Sequence, residues 1–189
     1  NVVISPTNNT FTATLQKGFY DDFSLDFNWT IANTASKGLW ERGEPLGTDF
    51  NGDQANPETD VNSDCSDKAY VTGNTGTSFS DDDLDNGITQ LISPMMNLAA
   101  LGEPHLTYYS WFYNASAQAQ DMNDNMRVRV FNGVTTVDLE NITIANTTQS
   151  QWLSKSFKLS DFTAVTTTMQ FIFEANDASP GHIVEAGID

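Results

Sequence analysis

Three segments of this chain, residues 38–48, 81–94 and 185–189, set carboxylates beside glycines and other turn residues. A hard cation such as Ca²⁺ takes about 6 to 8 oxygen ligands, and loops of this composition supply them. Asp83-Leu-Asp85-Asn86-Gly87 puts two carboxylates two residues apart in a tight turn. Gly87 there lets backbone carbonyls turn inward. Alternation along the last residues puts Glu185 and Asp189 on one face of a closing strand, opposite Val184, Ala186 and Ile188. Glu41 ends a short segment, Leu39-Trp-Glu41, that reads as a strand. If these ends converge, their like charges repel and a divalent ion relieves the repulsion, so a structural Ca²⁺ is expected. For Asp85 and Asn86 the competing reading is turn chemistry, in which the side chains bond their own backbone.

Other candidates are weaker. Asp49 to Asp60 places oxygen donors at positions 1, 3, 5 and 12 of a calcium loop, but Gln54 stands where that loop needs Gly and Asp60 where it needs Glu. This stretch reads first as a solvated excursion and second as an ion site. The run Tyr108 to Tyr113 puts Tyr109, Trp111 and Tyr113 on one face of a strand, a platform on which a sugar ring could stack, although aromatics in an alternating strand are usually core. A glycosidase would need two facing carboxylates, and Glu174 with Glu185 is the pair to consider, with Glu174 reading more naturally as a strand-end surface residue. His105 and His182 are isolated from each other and lack zinc spacing. Cys65 lies among acids that oppose thiolate chemistry. Arg127 and Arg129 project outward and are expected to pair with surface acids. No catalytic residue is assigned.

The chain has 189 residues and a net charge of −17, from 25 acidic and 8 basic residues. Such a surface repels phosphate backbones and anionic membranes, which leaves cations and neutral or basic ligands as partners. No apolar run approaches the roughly 18 residues of a membrane span, so neither nucleic acid nor membrane insertion is expected. Cys65 is the only cysteine, excluding an intrachain disulfide. Sequons at Asn8, Asn28, Asn114, Asn141 and Asn146 read as chance in an Asn- and Thr-rich chain. Few lysines and many Asn, Thr and Asp suit an exported protein, and the chain reads as a domain cut from a longer secreted polypeptide.

Positioning these groups falls to strands. Residues 10–16, 29–31, 39–41, 68–72, 89–92, 105–114, 126–130, 152–159, 169–173 and 184–188 alternate or are rich in β-formers. Residues 43–68 and 73–87 read as loops, and 95–102 as one helical turn. Many short strands with turn signals indicate one all-β domain, a two-sheet antiparallel sandwich or jelly roll.

Trp40-Glu-Arg-Gly43 with Pro45 and Gly47-Thr48, Tyr70 to Gly73, Asp83 to Gly87 with Leu91 to Pro94, the aromatic strand and Glu185 to Asp189 together resemble the MAM-like jelly-roll modules of exported bacterial proteins. Such modules accompany secreted metallopeptidases and polysaccharide-degrading enzymes. The resemblance spans roughly residues 20–189, leaving 1–19 as an N-terminal strand or linker and the last strand truncated. It implies a structural calcium ion and a non-catalytic role: binding a glycan or a protein surface, or positioning a neighbouring catalytic domain. The expected calcium ligands are Asp85, Glu185, Asp189, Glu41, Asp83 and Asp22. Asp22 enters because the family's acid after an early Phe is absent here, Ser24 following Phe23. Animal members carry several cysteines, whereas this chain has Cys65 alone. The alternatives are a jelly-roll enzyme acting on polysaccharide and a purely structural spacer.

Overall fold

The computed structural model describes residues 17–116 and 122–189; the strand expected at residues 10–16 lies outside them. Two five-stranded antiparallel sheets pack face to face. In the first, the order is β1 (Thr30–Asn33), β6 (Gly87–Ile92), β11 (Gln170–Asp177), β8 (Asn125–Phe131), β9 (Thr136–Ile142). In the second it is β10 (Leu153–Lys158), β7 (His105–Ala115), β12 (Ile183–Ile188), β5 (Ala69–Thr72), β2 (Trp40–Gly43). The closing strand β12 is therefore central, with Glu185 opposite Tyr113 of β7 and Gly187 opposite both Trp111 of β7 and Val71 of β5. No helix among the described residues is long and apolar enough to cross a membrane.

The expected alternation builds the core. Met126, Val128 and Val130 of β8 are fully buried, as are Phe173 and Ala175 of β11 and Val184, Ala186 and Ile188 of β12. The opposite face of the first sheet is less polar in exposure than its sequence suggests. Glu174 lies within β11, not at a solvent-facing strand end, and is 2% exposed. Its Oε1 accepts from Arg127 Nε at 2.9 Å, and its Oε2 from Arg129 Nη2 at 2.5 Å and Gln90 Nε2 at 2.6 Å. The outward arginines thus pair with an acid, and their stems and guanidinium groups bury it.

Two expected loops contain structure. Residues 43–68 hold the hairpin β3 (Thr48–Phe50) and β4 (Asp53–Asn56). Asn51 and Gly52, at φ 54° and 94°, form its two-residue turn, the left-handed pair that a hairpin of this length demands. Residues 73–87 hold the one-turn helix α1 (Phe79–Asp82). The helical turn expected at 95–102 is absent: Met96 bridges Met169, and a tight turn joins Leu101 N–H to the Leu98 carbonyl.

Candidate metal centre and recognition groove

The hairpin lies on the outer face of the second sheet. Ala55 accepts a hydrogen bond from Trp111 Nε1 at 2.7 Å, and Phe50, Ala55 and Tyr113 form a small second core. Trp152 packs edge-on against Trp111 with ring centroids 5.7 Å apart. Trp111 and Tyr113 are therefore 3% and 2% exposed. This corrects the expectation of an open aromatic platform: the segment read as a solvated loop folds over that face and closes it. Tyr109 alone of the three remains half-buried. It borders a groove of about 1050 Å³ shared with Tyr20, Trp29, Phe173, Asp64 and Asp189. The Asp49–Asp60 segment is likewise a hairpin, with Asp49 opposite Gln54 and Phe50 opposite Asp53, so its oxygens are not wrapped about one centre as in a calcium loop.

Under the hairpin and α1, Glu185 is 0% exposed. Thr72 Oγ1 donates to its Oε2 at 2.9 Å, while Oε1 has no partner. Burial pushes the Glu185 carboxyl well above its ordinary range, and the nearby Asp83 pushes it further. Asp83 caps α1 and accepts the Val184 N–H at 2.7 Å. Burial raises its pKa to about 8, with Asp85 and Asp177 adding repulsion. Among the described residues, Lys37 is the only cation acting on either carboxyl and is the weakest influence on both; it pairs instead with Asp85 at 3.1 Å. Asp82, also fully buried, accepts the Thr75 and Gly76 N–H groups at 2.8 and 2.9 Å.

Two glycines allow this acidic segment to reach the sheet. A Cβ on Gly38 would lie 2.4 Å from the Asp83 carbonyl oxygen, and one on Gly73 would lie 2.3 Å from that of Asp82. Both have positive φ, 67° and 55°. Gly73→Ala combines left-handed strain with a backbone clash that no rotamer relieves. We expect it to cost about 3 kcal/mol in denaturant unfolding, against less than about 1 kcal/mol for alanine at the open, negative-φ Gly102.

The six expected calcium ligands do not meet at one point. Glu185, Asp83 and Asp85 gather at the start of β12. Asp189 lies four residues further along the strand, roughly 13 Å away at about 3.3 Å per residue. There its Oδ2 accepts the Val61 N–H at 3.1 Å, and its backbone pairs with Tyr109. Burial raises the Asp189 pKa to about 7, with Asp64, Asp60 and Asp22 adding to the rise. Asp22 belongs to this second group, but its Oδ1 is engaged by the Ser24 N–H and hydroxyl. Glu41 is exposed on β2, the edge strand. A strand's length separates side chains that share its face, so a common face is not a common site. The proposed glycosidase pair fails for a related reason, since Glu174 and Glu185 project from the outer faces of opposite sheets.

One group was missed by sequence reasoning. Among the described residues, the trio whose ligand atoms lie within 4.8 Å of one another is Asp124, Asp177 and His182, all buried. His182 Nδ1 and Asp124 Oδ2 are 2.6 Å apart. Asp124 Oδ1 accepts from Ala178 N–H, and Asp177 accepts from the N–H groups of His182 and Asn86. His182 looked isolated because Asp124 reaches it only through the packing of β8 beside β11. Asp177 was five residues away in plain view, but no metal-binding spacing marked it.

The chain matches no protein-family model and no curated protein.

Proposed function

We propose that this domain is a non-catalytic recognition module of an exported bacterial protein, stabilised by calcium. Its task is to bind a glycan or an extracellular protein surface and so hold a neighbouring catalytic domain near its substrate. The observation that carries the calcium reading is Glu185: fully buried, one oxygen unpartnered, beside a second buried carboxyl, with no cation among the described residues paired to it. An isolated buried carboxylate is costly unless it is protonated or bound to a positive ion. Glu185 and Asp83 would hold the ion, supplying carboxylate oxygens of the kind calcium takes. Bound there, calcium neutralises repulsion and ties α1 to β5 and β12.

The groove beside Tyr109 supports the recognition half of the reading. Its lining includes the aromatics Tyr20 and Trp29 and the acids Asp64 and Asp189, the mixture of side chains that stacks a sugar ring and accepts its hydroxyls. Calorimetric titration with calcium, followed by a glycan array on the calcium-loaded domain, tests the two halves separately. We expect saturable calcium binding and a glycan signal reduced at least tenfold by Trp29→Ala. Calcium binding with a silent array would leave the spacer reading; hydrolysis of any arrayed glycan would point to the enzyme.

A further inference from the structure

We propose that Asp124, Asp177 and His182 form a second cation site, selective for a borderline divalent metal, for which Zn²⁺ is the probe. This goes beyond the calcium reading and uses different residues.

The three side chains come from the two sheets. Asp177 ends β11, Asp124 immediately precedes β8, and His182 immediately precedes β12. The same alternation that buries Met126, Ala175 and Val184 turns all three into the space between the sheets. Two carboxylates and an imidazole are a donor set that zinc and its neighbours accept, whereas calcium takes oxygen alone. Around zinc, ligand bonds of about 2.0–2.2 Å place ligand atoms roughly 3.3 Å apart in a tetrahedron. Atoms already within 4.8 Å of one another reach that spacing by sub-ångström movements.

A second observation is independent of these contacts. The His182 side chain is 0% exposed, yet among the described residues Nε2 has no partner. Asn114 of β7 lies opposite Val184, one step diagonally from His182 on the same inner face. It is 2% exposed, and neither Nδ2 nor Oδ1 finds a partner among the described residues. Its sequon is accordingly out of reach of a glycan. Each such orphan polar atom costs about 1–3 kcal/mol when left unsatisfied. A metal at Nδ1 would take the place of the proton between His182 and Asp124, and a water kept on it is the partner we assign to the buried amide of Asn114. The imidazole must stay neutral to act as a ligand. When Nδ1 binds the metal, its proton therefore moves to Nε2, where the imidazole gains a donor directed away from the carboxylates.

The test is titration of the chelator-stripped, dialysed full chain with Zn²⁺ by calorimetry, and with Co²⁺ by visible absorption, alongside His182→Gln and Asp177→Asn. The expected result is one Zn²⁺ per chain, resistant to a hundredfold excess of Ca²⁺. Co²⁺ should give d–d bands, with both signals weakened at least a hundredfold in either variant while circular dichroism stays native. If a variant unfolds, Asn114→Ala replaces it: the trio is intact there, so zinc should still bind, with altered Co²⁺ bands. Zinc that fails to bind, that binds equally well to His182→Gln, or that is displaced by calcium overturns the proposal. Zinc binding retained in Glu185→Gln, in which the calcium response is lost, separates this site from the calcium site; loss of both together would refute their independence.

Discussion

Glu185→Gln is expected to abolish the calcium-induced rise in Tm while leaving the chelated protein at least as stable as the unaltered chain at pH 8. Glutamine keeps the shape of the side chain and can still accept from Thr72, but it carries no charge for an ion to neutralise. In the unaltered chain, calcium at about a hundred times its Kd adds about 2.7 kcal/mol. For a domain of this size that is a rise of roughly 5–10 °C in Tm. The variant should show less than about 1 °C, whereas Asp189→Asn, at the other end of β12, should retain most of the rise. The direction without calcium is the more telling half. Removing a ligand usually destabilises, but removing a buried carboxyl that must take up a proton on folding does the reverse. Differential scanning calorimetry with and without chelator measures both. A chelated variant much less stable than the parent would mean that Glu185 serves as an ordinary hydrogen-bonded core residue.

The chelated protein should lose stability as pH rises from about 5 to 8.5, opposite to the usual behaviour of salt-bridged carboxylates. Asp83 titrates near 8 in the folded chain against an ordinary 3.8, and Asp189 near 7; Glu185 is raised in the same direction. Between the ordinary and the raised value the native state keeps protons that the unfolded chain has shed. Unfolding therefore releases protons, and stability falls with pH until about 8, where the native groups also ionise. At about 1.36 kcal/mol per pKa unit, and allowing for partial relaxation, Asp83 contributes on the order of 4 kcal/mol to this fall. The fall should show as a drop of roughly 10 °C in Tm across the window. Saturating calcium should flatten most of it, because ligation favours the ionised carboxylates and adds most stability at high pH. A chelated Tm that climbs between pH 5 and 8 would show that these carboxyls are hydrated and ordinary.

Much of the architecture could be read from the residues. The period-two alternation at Met126 to Val130, at Phe171 and Phe173, and at Val184 to Ile188 fixed which side chains face inward, because burial on one face of a strand leaves no other register. The two-sheet sandwich follows from such strands. The β3–β4 hairpin was also within reach. Asn51-Gly52 is a strong two-residue hairpin signal, obscured by the acids around it, which suggested a solvated loop. Missing it had a consequence, since that hairpin is what covers Trp111 and Tyr113.

By itself, the sequence determined most of the strands, their inward faces and the acidic character of the chain, and it marked Glu185 and Asp83 among six candidate ligands, since a carboxylate in an apolar run and a carboxylate in a glycine-flanked turn each stand out locally. Only the tertiary structure decided which acids meet. Strand order places Glu185 and Asp189 at opposite ends of one strand, close packing against Gly38 and Gly73 sinks Asp83 beside Glu185, and the pairing of β8 with β11 brings Asp124 to His182 across 58 positions. Contacts of that range are set by how whole sheets pack and leave no periodic trace in the chain.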